Sequence, residues 1–308
     1  MTIREIYNSY IDYCELKMKP QSLRTTKSRF NNYIIPYIGK YEIDDFKPIQ
    51  YLEWQKKMQN KGFKYSYLKS LHYSAVALFN FAINFYEISK NVPSIVGNFK
   101  NNYDNTEIKF WSYNEFSKFI SCVDERMYKT FFSFLFWTGC RLGEALALTW
   151  EDLNENVISI TKTISKESIN GQRVTTTPKT KKSIRKIRID AKLTEQLNEL
   201  LTYYNKIYNN FNNKFYIFGG ANPLAPTTIE RKKNYYCKLS NVKQIRLHDF
   251  RHSHASLLLS NNVPITAIAD RLGHSDINTT LNTYSHMLPE DEKRVINTLN
   301  SLKLNLTI

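Results

Sequence analysis

Apolar residues recur at helical spacing along most of the chain, and proline and glycine interrupt the recurrence at intervals that mark off separate helices. Ile3, Ile6, Tyr7, Tyr10 and Tyr13 form one stripe over residues 3–16, which Pro20 ends. A second helix is predicted to start with Ser22 as its N-cap and to carry Leu23, Phe30, Tyr33 and Ile34 until Pro36 and Gly39 break it. Pro48 opens a third, with Ile49, Leu52 and Trp54, which Gly62 stops. Proline in a first turn costs little, because the donor it lacks would have had no helical partner. The longest stripe covers residues 66–89 with Leu68, Leu71, Ala75, Leu78, Phe79, Ala82 and Phe85, wide enough for the centre of a small bundle. His72 lies beside that stripe and reads as structural.

The pattern lapses over residues 91–105, where Pro93, Gly97 and several Asn suggest a connection between domains. It resumes at Ser112, which has capping-box spacing to Glu115 ahead of Phe116 and Phe119. Residues 127–137 are almost wholly apolar and predict a buried helix. Thr138-Gly139-Cys140 interrupts it, and Arg141-Leu142-Gly143-Glu144 opens the next, so Arg141 is held by packing on both sides. Alternation with β-branched residues over 157–164 and 183–189 predicts a hairpin or three-stranded sheet, with Asn170-Gly171 as a tight turn. An amphipathic helix follows over 191–208. Further on, His248 and Arg251 fall on one face of a helix whose start carries Asp249. A short helix after Pro264, with Ile265, Ile268 and Leu272, closes at Gly273, and Tyr284 comes ten residues after His274. No internal repeat is present.

Charge changes the picture more than composition does. Forty-three Lys and Arg against 28 Asp and Glu give +15, which favours a polyanionic partner: nucleic acid first, an anionic membrane second. The chain has no run of about 18 apolar residues, and Met-Thr-Ile-Arg-Glu lacks a signal-peptide core, which weakens the membrane reading. Cys14, Cys122, Cys140 and Cys237 form no C-x-x-C pair, so neither a disulfide framework nor a cysteine metal site is expected, and a reducing cytoplasm is the default. Between Lys162 and Arg188 there are nine basic residues and one acid, Glu167. Lys162, Lys181, Lys182 and Arg185 there, and Arg231, Lys232, Lys233 and Lys243 in a second acid-poor stretch, are candidate DNA contacts.

Arg141 in T-G-C-R-L-G-E, the pair in H-D-F-R-H-S-H, His274 in L-G-H-S and Tyr284 in T-T-L-N-T-Y-S-H come in an order that resembles the tyrosine recombinase (phage integrase) family, particularly integrases of phages and conjugative transposons from Gram-positive bacteria. The resemblance covers the whole chain. It implies a helical, SAM-like core-binding domain at 1–95, a linker at 96–106, a mixed α/β but mainly helical catalytic domain with a small antiparallel sheet at 107–288, and a C-terminal element at 289–308. That last element, with Val295, Leu299, Leu302 and Leu306, would pack on a neighbouring protomer of a tetramer or on its own domain. An arm-site-binding domain found in many relatives is not apparent. The implied partners are a double-stranded DNA recombination site and a possible directionality factor, with the two domains clamping the duplex. No cofactor or metal is implied.

The residues support that chemistry independently. A phenol with an ordinary pKa near 10 attacks a phosphodiester only if cations stabilise its oxyanion and the phosphate. Arg141 and Arg251 suit this, since a guanidinium binds phosphate oxygens bidentately and stays charged. His248 and His274 can add donors or take the tyrosine proton. The family implies a 3′-phosphotyrosyl link at Tyr284, with a hairpin lysine protonating the 5′-oxygen. Likeness points to Lys179, with Lys181 and Lys182 as alternatives. Glu144 is expected either to support the pocket or to form a surface ion pair. Two rivals compete: His248, His252 and His254 as zinc ligands of a nuclease, opposed by Arg251 among them and by the lack of an accompanying Glu, and a DNA-binding regulator without activity, opposed by the presence of both arginines and the tyrosine.

Overall fold

A computed structural model describes residues 1–100, 108–169, 172–178, 181–284 and 296. The chain divides into two compact units, 1–106 and 107–308. The first is helical: α1 (Ile3–Lys17), α2 (Pro20–Arg29), a π-helical turn (Phe30–Ile34), α3 (Ile35–Ile38), α4 (Pro48–Gln59), α5 (Tyr65–Tyr86) and α6 (Val92–Val96). Thr2 caps α1 through a reciprocal box with Glu5. Pro20 both ends the first helix and begins the second. It stands at the first position of α2 after Lys19, so Ser22 lies inside the helix rather than at its cap. The expected break at Pro36 is also absent. The Ile35 amide bonds back to Phe30, and this wider turn leads directly into α3, with Pro36 in its first turn.

The stripes read from the sequence meet in one core of Ile6, Phe30, Ile34, Trp54, Leu71, Leu78 and Phe79. His72 is buried, with Nδ1 3.0 Å from the Tyr51 hydroxyl, as a structural residue would be. Val92 and Phe99, from the segment read as a connection, are buried in this same core. Phe99 packs on Trp54, and Gln55 donates to the Gly97 carbonyl at 2.9 Å.

The second unit is built on α8 (Arg126–Thr138), in which Phe131, Phe132, Phe134 and Phe136 are all fully buried. Each such ring contributes about 1.5–3 kcal/mol by leaving water. α7 (Tyr113–Ser121) carries the Ser112–Glu115 capping box and stacks Phe116 on Phe136 with centroids 3.7 Å apart. After α9 (Leu142–Ala147) the strands make two antiparallel sheets. β1 (Leu153–Asn154), β2 (Val157–Ile160) and β5 (Arg185–Arg188) form a three-stranded sheet in the order β1-β2-β5. β3 (Thr163–Ile169) and β4 (Gln172–Thr176) form a separate hairpin, Thr163 opposite Thr176. Helices α10 (Ala191–Ile207), α11 (Pro226–Leu239), α12 (Asp249–Ser260), α13 (Ile265–Leu272) and α14 (Ile277–Tyr284) complete the unit. Among the described residues, no helix is long and apolar enough to cross a membrane. The Asn170-Gly171 turn, Lys179 and the apolar stripe of 295–306 lie outside the described residues.

Candidate active site

Two glycine-capped helix ends converge beside a small cleft. α8 ends at Gly139 (φ 64°) and α13 at Gly273 (φ 69°), a left-handed conformation that any other residue would adopt at a cost. A Cβ on Gly139 would also sit 2.7 Å from the His254 ring. Carbonyls at such ends carry the negative pole of the helix and attract cations. Arg251, buried on α12, donates to the Gly139 carbonyl at 2.9 Å and the Leu272 carbonyl at 2.7 Å, so its fork is fixed by the ends of both helices. Burial and then the Arg141 charge pull its pKa down to about 9, which leaves it cationic at neutral pH. A guanidinium so crowded has much to gain from an anion.

Arg141 is the N-cap of α9, one turn before Glu144. Glu144 is buried, not on the surface. One oxygen accepts from the Arg141 side chain at 2.8 Å, and the other from the Arg141 amide at 3.1 Å and from Arg185 at 3.0 Å. Burial pushes the carboxyl up, but Arg185 and then Arg141 outweigh that and hold it below the ordinary glutamate range. Arg141, Gly273 and His274, with Thr163, Ser275 and Thr279, line a cleft of about 320 Å³.

His274, between α13 and α14, and Tyr284, at the end of α14, complete the set. Nδ1 of His274 lies 2.6 Å from the buried Thr280 hydroxyl, and burial followed by Arg251 pulls the ring down to about 4. Tyr284 is 1% exposed and packs on Ala255, Leu259, Ile268 and Leu272, with its hydroxyl 2.7 Å from Nδ1 of His252. Burial raises the phenol to about 12, so it is protonated and does not line the cleft. His248, the N-cap of α12, stands edge-on to His252 with centroids 5.4 Å apart. Although the residue is exposed, desolvation of its ring, then Arg251, keep it below its ordinary pKa. The zinc trio does not form. His254 donates Nδ1–H to the Phe136 carbonyl at 2.8 Å and accepts at Nε2 from Arg271 at 3.1 Å, which leaves no lone pair for a metal.

Residues 111–291 match the phage integrase family, and residues 2–59 match the phage integrase N-terminal SAM-like domain. The chain is 33% identical over 300 residues to the ICEBs1 integrase of Bacillus subtilis (strain 168), covering 95% of this chain and 81% of that protein. The chain belongs to the phage integrase family. It is a tyrosine site-specific recombinase, and its fold is that of solved integrases. The Tn1549 transposon integrase in complex with transposon right-end DNA superposes with TM-score 0.79 over 96% of this chain and 98% of that one, at 21% identity. A lambda integrase tetramer bound to a Holliday junction gives TM-score 0.64 over 90% and 78%, at 15% identity.

Several basic residues of this integrase expected on DNA are engaged within the fold. The Arg185 side chain is 7% exposed; besides Glu144 it donates to the Arg271 carbonyl at 2.7 Å and the Ser183 carbonyl at 3.1 Å. Lys233 is buried and bonds Glu230 and the Ile245 carbonyl. The charges of both face internal acceptors rather than solvent. A periodicity already in the sequence marks them: Arg185 shares a strand face with Ile187 and Ile189, and Lys233 a helix face with Ile229, Tyr236 and Cys237, all buried. Lys162 is tied to Asp152 at 2.8 Å, Lys243 to Glu115 at 3.2 Å, and Lys232 to Glu125, so these three reach DNA only by leaving a carboxylate. Arg231 and Lys182 are exposed, and the Lys181 side chain lies outside the described residues. The sequence carries no local sign of Arg271 and Thr280, and it offers His252 only as a metal ligand; the importance of all three comes from partners 6 to 134 residues away.

Proposed function

We propose that Tyr284 attacks the scissile phosphodiester of a duplex recombination site, forming a 3′-phosphotyrosyl link and releasing a 5′-hydroxyl that reverses the step on a new strand. The observation that carries this is the cleft lined by Arg141 and His274 beside the two helix ends that fix Arg251, with the tyrosine ending the helix that follows His274. Two guanidiniums fixed by helix-end carbonyls and Glu144 neutralise charge where it develops, without reorganising as it does. Transesterification conserves the bond energy, so rejoining needs no nucleotide. Protonation of the leaving oxygen falls to Lys179, or to Lys181 or Lys182 from the same basic segment. His248 adds a donor at the mouth of the site.

Duplex DNA is the partner that a charge of +15 favours. The DNA complexes formed by the Tn1549 and lambda integrases support this reading, and the latter supports a tetramer on DNA. Residues 1–95 serve as the core-binding domain and 107–288 as the catalytic domain. A directionality factor and a cytoplasmic setting belong to the same proposal. Replacing Tyr284 with Phe is expected to leave DNA binding intact and to abolish the covalent adduct on a nicked substrate that traps it. An adduct surviving that change refutes the assignment of the nucleophile. Cleavage by the parent is expected to persist in excess chelator.

A further inference from the structure

Thr280 is fully buried on α14, one helical turn before Tyr284, and its hydroxyl lies 2.6 Å from Nδ1 of His274. Among the described residues, that is the one hydrogen bond its side chain makes. Thr283, by contrast, turns its hydroxyl back to the Thr279 carbonyl at 2.6 Å. The direction of the Thr280 bond follows from what each alternative leaves unpaired. If Nδ1–H donated to Thr280, the hydroxyl proton would be buried without an acceptor, at a cost of about 1–3 kcal/mol. If Thr280 donates to Nδ1, every buried proton has a partner, and the ring must carry its own proton on Nε2.

Nδ1 is thereby occupied, so Nε2 is the nitrogen left to serve the cleft that His274 lines. We infer that Thr280 is a positioning residue that fixes His274 in the Nε2-protonated tautomer, making it a hydrogen-bond donor to the scissile phosphate rather than the acceptor of the tyrosine proton. The ring is neutral near pH 7, which is why a tautomer lock matters there. Because Thr280 and Tyr284 share one helix, seating that helix sets the nucleophile and the donor together. This inference rests on the proposed Tyr284 chemistry.

Two readouts test it. Imidazole ¹⁵N NMR of the DNA-free protein, with His274 assigned through His274→Gln, should show Nε2–H in the parent and in Thr280→Ser, and a mixture in Thr280→Val. Single-turnover cleavage of a nicked duplex, selected by the protein from a randomised pool, should fall about 5-fold in Thr280→Val at saturating DNA, the worth of about 1 kcal/mol of hydrogen bonding. Affinity should stay within about twofold, and the Ser variant should restore the rate. An Nδ1–H tautomer in the parent, a Val variant as fast as the parent, or a defect that Ser does not rescue overturns the inference. If Thr280→Val fails to fold, the tautomer of the parent and the rate of the Ser variant decide. A parent that forms no adduct yet keeps Nε2–H overturns the role of Tyr284 while upholding the lock.

Discussion

In the proposed chemistry Arg251 and Tyr284 serve one reaction, but they are held in opposite ways. Arg251 is buried and gripped by carbonyls from two helix ends. The surrounding frame continues from Glu144 to Arg185, and from Arg271 to the Arg188 and Trp137 carbonyls and the His254 ring. Each group in it is bonded to residues distant in sequence, so no one segment can shift alone. Tyr284 sits on an eight-residue helix that two histidine contacts and a small apolar cluster hold, while Ile277 and Leu281 on the same helix are 39% exposed. The donors proposed to bind phosphate are thus pre-organised, and the proposed nucleophile is buried and does not line the cleft. Such a division places the reorganisation on the group whose premature action would break DNA.

The largest expected effect comes from breaking the rigid side. Glu144→Gln removes the charge between Arg141 and Arg185, both of which remain. Removing one partner of a buried pair typically costs roughly 3–5 kcal/mol. Retention of one amide oxygen should bring this to about 3 kcal/mol, read by urea unfolding, with cleavage at least about 100-fold slower. The pH dependence has a definite sign. The folded pKa of Glu144 is lowered, so its contribution is present above the ordinary glutamate value of about 4.3 and is lost as pH falls further through the folded value. The parent should lose stability relative to Glu144→Gln across that acid range. A gap between the two that does not change with pH refutes the role of the charge.

How much of this contrast was legible in the sequence differs between its two sides. The helices announce themselves through apolar spacing, and Gly139, Arg141, Glu144, Arg251, Gly273, His274 and Tyr284 stand in motifs whose order carries the family. The frame around them does not announce itself. Arg185 reads as a DNA contact because a basic run looks the same whether a side chain points out or in, and only its register with Ile187 and Ile189 betrays the burial. Pro36 reads as a helix break because the wider π turn before it leaves no local signal. His252 resembles a spare histidine until its ring is found 2.7 Å from the tyrosine hydroxyl, a contact made across 32 residues.

Breaking the lightly held side should act more gently and in the other direction. His252→Phe keeps a ring against Tyr284 but removes the hydrogen bond. If His252 only stores the nucleophile, release becomes easier by about 1 kcal/mol, and single-turnover cleavage should rise up to about 5-fold. If His252 instead takes the phenolic proton during attack, the same variant should approach the inactivity of Tyr284→Phe. The sign of the change in rate therefore decides between tether and base. Burial, then His248, pull His252 down to about 4, so it is neutral in either role near pH 7.

The smallest effect sharpens the comparison at the surface, where two basic residues on α11 face in different directions. Arg231 is exposed, and Lys233, two positions on, is buried against Glu230 and the Ile245 carbonyl. Arg231→Ala is expected to weaken DNA binding about 3-fold and to reduce the slope of log affinity against log salt by about one, the signature of a lost phosphate contact. Lys233→Met should leave that slope unchanged and alter the unfolding midpoint instead, since its charge meets protein rather than solvent. A reduced salt slope for Lys233→Met would mean that α11 presents its other face to DNA. Inward-facing charge would then belong with the lightly held Tyr284 rather than to the frame that holds the arginines.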